Sequence, residues 1–194
     1  MNTVPRLLVP FLCAFLAGPA FIFLHEWGHY IMARSLGWRA RMHYAETKFD
    51  VPSEKFSPRN DMLVSSAGPF LGAVVATAGF VYLHRSRRHR PQAIATFGDW
   101  VATTCVLNVG RWLRCFAGSP SRPVPDDEAY ISRAMGLPGW FLPYFLGVVA
   151  IIVIVATIRL HPPRARLVPF LASAVGGVAG AVLWMNVAGP ILLP

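Results

Sequence analysis

Long apolar runs separated by short basic or proline-rich connectors dominate this chain. Five stretches stand out: about Leu7–Ala33, Met62–Leu83, Ala93–Phe116, Trp140–Arg159 and Leu167–Leu193. Each is long enough for a helix to cross the hydrocarbon core, which takes about 20 mostly apolar residues. The runs do not alternate polar and apolar positions as the strands of a membrane barrel would. In lipid only helices and closed barrels satisfy their own backbone N–H and C=O groups. The pattern therefore predicts an all-α membrane protein with about five transmembrane helices. The third run, which holds Asp99, Asn108 and Arg111, is the most polar.

The connectors differ in character. Residues 34–60 form a long polar stretch in which Arg39–Tyr44 and Thr47–Val51 resemble short extended pieces, so a small β-hairpin is expected after the first helix. Residues 117–138 carry Gly118, Pro120, Pro123 and Pro125 ahead of the acidic cluster Asp126-Asp127-Glu128, a loop composition, and Glu128–Met135 is expected to form a short helix. Small residues recur through Ala172–Gly180, which suits close helix packing. No internal repeat is visible. A single membrane domain over 1–194 is expected, with a core of 7–138 and accessory helices over 139–194.

Composition supports the membrane reading. The chain is 55% hydrophobic and only 14% charged, against about 25% charged in a typical soluble domain. Its net charge of +9 does not point to nucleic acid, because the basic residues cluster in blocks such as His84–Arg90 between apolar runs. Such blocks flank membrane spans and favour anionic lipid headgroups. Basic residues are nearly balanced between the two ends of the expected bundle, so charge alone sets no orientation. The first run continues through Phe21–Leu24 beyond the length of a secretory signal core and is read as a retained span. The cysteines, Cys13, Cys105 and Cys115, form no CxxC pair and give no disulfide framework or thiolate metal site.

The chemistry lies in His25-Glu26-Trp27-Gly28-His29. On a helix, residues four apart share one face, so both imidazoles can reach one metal ion, and the intervening Glu stands close enough to take a proton from a bound water. Ionisable groups inside an apolar helix are costly and usually have a partner that offsets the cost. A dication held by His25 and His29, with Glu26 as general base, would be such a partner. Zinc in a catalytic site takes three protein ligands plus water. With five spans, the loop after the third returns to the end of the bundle that carries the motif, which nominates Asp126, Asp127 or Glu128. Asp61 opens the second span and suits a helix N-terminus. Asp99 lies toward the opposite end, where it is expected to pair with an arginine or face a polar cavity.

HEWGH in an early span, followed by Ser66-Ala67-Gly68-Pro69-Phe70-Leu71-Gly72 in the next, resembles the site-2 protease family of intramembrane zinc metalloproteases. The resemblance covers roughly residues 20–138. It implies zinc as cofactor, His25 and His29 as ligands, Glu26 as catalytic base, a membrane-protein or peptide substrate, and a multi-pass protein of the cell membrane with its catalytic end toward the cytosol. Asn108, in Leu107-Asn108-Val109-Gly110, is similar to the family asparagine that holds substrate backbone. The family's Asp-Gly ligand pair is absent, and Arg111 stands where its proline would be. The stretch Asp127–Pro138 resembles the segment that follows the metal-binding aspartate in shorter relatives. That favours Asp127 as third ligand, with Asp126 as the alternative. Two rival readings are a membrane zinc protein without proteolytic activity, such as a chaperone or regulatory partner, and a five-span transporter.

Overall fold

Four helices are long and apolar enough to cross a membrane, and they set the architecture of the computed structural model, which describes residues 4–52, 54, 56–90, 95–117, 126–163 and 166–193. In chain order, helix α1 spans Val4–Ser35, the strands β1 and β2 span Arg39–Met42 and Thr47–Asp50, and α2 spans Pro58–His89. Helix α3 covers Phe97–Leu107 and runs on as a 3-10 helix over Asn108–Ala117. Helix α4 covers Asp127–Ala134, α5 covers Phe141–Leu160, and α6 covers Leu167–Leu183. A π-helical turn, Trp184–Ala188, then leads into the short α7, Gly189–Leu192. The Pro- and Gly-marked stretch 118–125 and the start of the third expected span at Ala93 lie outside the described residues.

The fold is the all-α membrane architecture that the apolar runs predict. Large apolar side chains such as Leu16, Phe70, Ile152 and Val178 point outward, between 62% and 70% exposed. On a soluble protein a surface this apolar would aggregate, whereas lipid solvates it. The third expected span differs from the other four, because its regular α-helical part is 11 residues long. The hydroxyls of Thr103 and Thr104 bond back to the carbonyls of Asp99 and Trp100 at 2.7 and 2.8 Å, a pattern that loosens and bends a helix. Asn108, Gly110, Arg111 and Arg114 then favour no continuous apolar α-helix, and the chain tightens to three residues per turn.

The hairpin is present. Strands β1 and β2 pair antiparallel, with Arg39 opposite Asp50 and Met42 opposite Thr47. Its attachment to α1 is rigid. Gly37 has φ 75°; its N–H bonds to the Arg34 carbonyl at 3.0 Å, and the Trp38 N–H bonds to the Ala33 carbonyl at 2.9 Å. This is a Schellman end, which needs a residue that tolerates the left-handed conformation. Trp38, fully buried, then packs with Ala33 and Val64, and Ala40 and Val51 complete the patch.

The tightest helix pair is α1 with α6. Gly176 and Gly180 face the backbone carbonyls of Phe11 and Phe15, and a Cβ on either would overlap them. A Cβ on Gly18 would lie 2.8 Å from the Gly177 carbonyl oxygen. Backbones meet because side chains are missing, as the small-residue stretch anticipates. Replacing Gly180 by Val should therefore push the two helices apart and cost about 1–3 kcal/mol, the usual price of overpacking. Thermal unfolding in detergent should show a lowered midpoint for Gly180→Val. It should show none for Gly177→Ala, whose Cβ meets its nearest neighbour at an ordinary 3.9 Å.

Candidate metal centre

The register of α1 puts His25 and His29 one turn apart on the same face, their rings perpendicular with centroids 4.6 Å apart. Asp127 reaches them from the first turn of α4. The side chain of Asp126 caps that helix by accepting the Ala129 N–H at 2.9 Å. Capping fixes where α4 begins and so aims the next residue, Asp127, across the gap. The His25 Nε2 lies 3.0 Å from Asp127 Oδ2 and 3.0 Å from His29 Nε2, and His29 Nε2 lies 3.3 Å from the same carboxylate oxygen. Among the described residues these three form the group of side chains that could hold a metal ion.

Helix α2 supplies the floor. Gly68 lies directly beneath the imidazoles: a Cβ there would overlap His29 Nε2 and lie 2.6 Å from His25 Cε1. On the other side of the contact, a Cβ on Gly28 would lie 2.6 Å from the Ala67 carbonyl oxygen. Pro69 offers no N–H to the turn before it and loosens that turn. In the same turn the Val64 carbonyl accepts the Nδ1–H of His29 at 2.7 Å. This bond orients the ring and turns its Nε2 toward His25 and Asp127, the kind of support that metal-binding histidines use.

Burial pushes the Asp127 carboxyl up, but the hydrogen bonds from His25 and His29 outweigh it and hold the group well below its ordinary range. Asp126 goes the other way, raised by burial against the bond it accepts from Ala129. Tyr130 donates a short hydrogen bond to Asp61, which pushes the phenol up to about 12 and ties α4 to α2. Asp61 thus serves the docking of α4 and stands outside the metal group. Asp99 sits at the other end of the bundle, in a buried ion pair with Arg87 at 3.1 Å. It also takes part in a capping box with Thr96.

Glu26 is buried and adjoins the cluster. The Thr47 hydroxyl, at the start of β2, lies 3.0 Å from Glu26 Oε2 and 3.0 Å from the Glu26 carbonyl. Asn108 Nδ2 donates to the Gly72 carbonyl at 3.4 Å, a bond between α2 and the 3-10 helix. Glu26 and Asn108 line one cavity of about 1050 Å³ together with the two histidines and Asp127, and its apolar walls come from α1, α3 and α6.

Sequence reasoning did not single out Thr47 or the group formed by Arg111, Trp112 and Glu128. The Trp112 indole donates to Glu128 Oε1 at 2.9 Å, and the Arg111 guanidinium contacts both Glu128 and His25. A signal was available: Asn108, Arg111 and Arg114 recur every third residue, the period that aligns side chains in a 3-10 helix. Nothing in the sequence announced the register that brings Thr47 to Glu26. Comparison of the chain with protein-family models, with curated proteins and with solved structures finds no match in any of the three.

Two measurements test this geometry. If the group holds a divalent cation, Gly68→Ala should weaken that binding by tenfold or more, read by competition with a chromophoric chelator, because the methyl displaces both rings. In metal-free protein the contribution of Asp127 should be present above about pH 4, the ordinary carboxylate value, and be lost as the pH falls toward its depressed folded value. Thermal scans from neutral to acid pH should show this acid limb in the parent and a flatter one in Asp127→Asn.

Proposed function

We propose that this chain is a membrane-embedded zinc metallopeptidase that hydrolyses peptide bonds of membrane-embedded or membrane-adjacent polypeptides. The observation that carries the reading is the triangle of His25 Nε2, His29 Nε2 and Asp127 Oδ2, with edges of 3.0, 3.0 and 3.3 Å. A tetrahedral zinc with bonds of about 2.0–2.1 Å spaces its ligand atoms about 3.3 Å apart. The donor set fits the ion in type as well, with two imidazoles and a carboxylate that stays ionised. Further support is the likeness of HEWGH and Ala67-Gly68-Pro69 to the site-2 protease pattern.

Zinc held there would polarise a scissile carbonyl and make a water nucleophilic near neutral pH. The residues of the chain do the rest. His25, His29 and Asp127 hold the ion, and the Val64 carbonyl and Gly68 keep the rings in place. Glu26 takes the proton from the attacking water and later delivers it to the leaving nitrogen. Thr47 holds the Glu26 carboxylate in position. Asn108 offers an amide to the substrate backbone, and the exposed edges of the hairpin can pair with an extended polypeptide. The apolar cavity admits a segment drawn from the membrane, and its backbone must be unwound, because helical amides are already hydrogen-bonded. The near match of HEWGH to the family pattern further suggests a multi-pass protein of the cell membrane with this end toward the cytosol.

A second reading, a membrane zinc protein without proteolytic activity, keeps the same metal group but gives Glu26 no task. The two diverge on one variant. Glu26→Gln should keep one zinc per chain and lose about 10²–10⁴-fold in turnover of a quenched-fluorescent apolar peptide in micelles. His29→Ala should lose the zinc and the activity together. A Glu26→Gln protein that matches the parent in turnover would overturn the peptidase proposal.

A further inference from the structure

Arg111 places a cation directly beside the candidate metal group. Its guanidinium has two working ends. The Nη2 end faces carboxylates, 3.4 Å from Glu128 Oε1 and 3.8 Å from Asp127 Oδ2. The Nη1 end faces the imidazole of His25, 3.0 Å from Nε2 and in close contact with Nδ1. The same residue lines the cavity that contains Glu26 and Asn108. A cation beside a group that would hold a dication is repelled by it, so the position needs an offset. Glu128 provides one: it is 2% exposed, buried against Trp112, and its charge goes to Arg111. The winding contributes too. In a 3-10 helix residues three apart eclipse, which stacks Asn108, Arg111 and Arg114 in one polar row along the cavity.

This geometry points to Arg111 as a catalytic residue: a fixed guanidinium, braced by Glu128, that stabilises the negative charge formed on the scissile carbonyl oxygen. The inference rests on the peptidase reading above. In the first step the water oxygen bonds to the carbonyl carbon, the carbonyl π pair moves onto its oxygen, and the water proton goes to Glu26. In the second, that pair returns, the C–N bond breaks, and the Glu26 proton goes to the leaving nitrogen. The charge on the oxygen exists only between the two steps. A donor aimed at it therefore lowers the barrier without tightening substrate binding. Arginine suits the task because its fork can hold Glu128 with one nitrogen and present another to the oxygen. The proline or apolar residue that a purely structural 3-10 turn would accept carries no such donor.

The test compares Arg111→Gln and Arg111→Lys with the parent, as purified full-length protein in micelles. The substrate is a quenched-fluorescent apolar peptide, and a phosphinic peptide of the same sequence mimics the tetrahedral state. For Arg111→Gln, kcat should fall about 100-fold, the usual loss for one oxyanion donor. KM should stay within about threefold, zinc affinity by chelator competition should not fall, and phosphinic-peptide binding should weaken by about the same factor as kcat. Arg111→Lys should recover about tenfold of the lost kcat, since it keeps the charge without the fork. If Arg111 merely anchors α4 through Glu128, zinc affinity falls in step with kcat and lysine restores nothing, which overturns the proposal. An Arg111→Gln protein with parental kcat overturns it as well. A zinc-loaded parent that fails to cleave the peptide and fails to bind the phosphinic mimic overturns the peptidase reading itself and this inference with it. Should Arg111→Gln not fold, Arg111→Lys decides alone: a parental kcat, or loss of zinc, overturns the proposal.

Discussion

The close approach of α1 and α2 is the constraint on which the rest depends. Gly28 meets the Ala67 carbonyl, and Gly68 meets the two imidazoles, at separations that leave no room for a methyl group. Because the backbones touch, the rings of His25 and His29 have a floor, and the Val64 carbonyl is within reach of His29 Nδ1 at 2.7 Å. Two imidazoles inside an apolar helix would otherwise be conformationally loose and poorly solvated. Helix α2 removes both problems with one surface. It also carries Asp61, which receives the Tyr130 hydroxyl and keeps α4 alongside. The carboxylate that closes the triangle is thus positioned by the same helix that supports the histidines.

Polar groups at the two ends of the bundle illustrate two ways of tolerating charge in an apolar body. At one end Arg87 and Asp99 neutralise each other in a pair that is almost wholly buried, 3% and 1% exposed. At the other end the groups form an open set: His25, Glu26, His29, Arg111 and Asp127 border a cavity, and Glu128 braces Arg111 from behind. A closed pair directs its charges at each other. An open set keeps coordination capacity in reserve, and such arrangements are where chemistry is found.

Much of this was legible in the sequence. The apolar runs gave the helices, because lipid permits few alternatives and the required length is set by bilayer thickness. HEWGH gave the two histidines and the glutamate, because a four-residue spacing on a helix fixes their common face. The count of spans narrowed the third ligand to the acidic cluster Asp126-Asp127-Glu128, and the resemblance of Asp127–Pro138 to shorter relatives favoured Asp127 within it. The change of winding at Asn108 was hidden, since it arises from threonine back-bonds in α3 and a polar row whose three-residue period is short and easily read as α-helical. Thr47 was hidden for a different reason: its bond to Glu26 depends on the three-dimensional return of the hairpin over α1, which no local pattern encodes. Arg111 was visible as a polar residue of the third run and as a departure from the proline of the resembling pattern, but its partners His25, Asp127 and Glu128 lie on two other elements.

The Schellman end at Gly37 locks the angular phase between α1 and the hairpin. Each residue of an α-helix advances about 100° around the axis, so the direction in which β1 leaves α1 is set by how many residues separate the motif from Gly37. The eight-residue interval from His29 to Gly37 sends the hairpin back across the face that holds Glu26, where Thr47 can reach it. One residue more or fewer would leave the helix intact and the imidazoles one turn apart on their common face. It would swing the hairpin around the barrel of the helix by more than a quarter turn, away from the acid it steadies. In this fold spacing along a single helix therefore acts as a timing element, bringing a hydroxyl on one structure into phase with a carboxylate on the other.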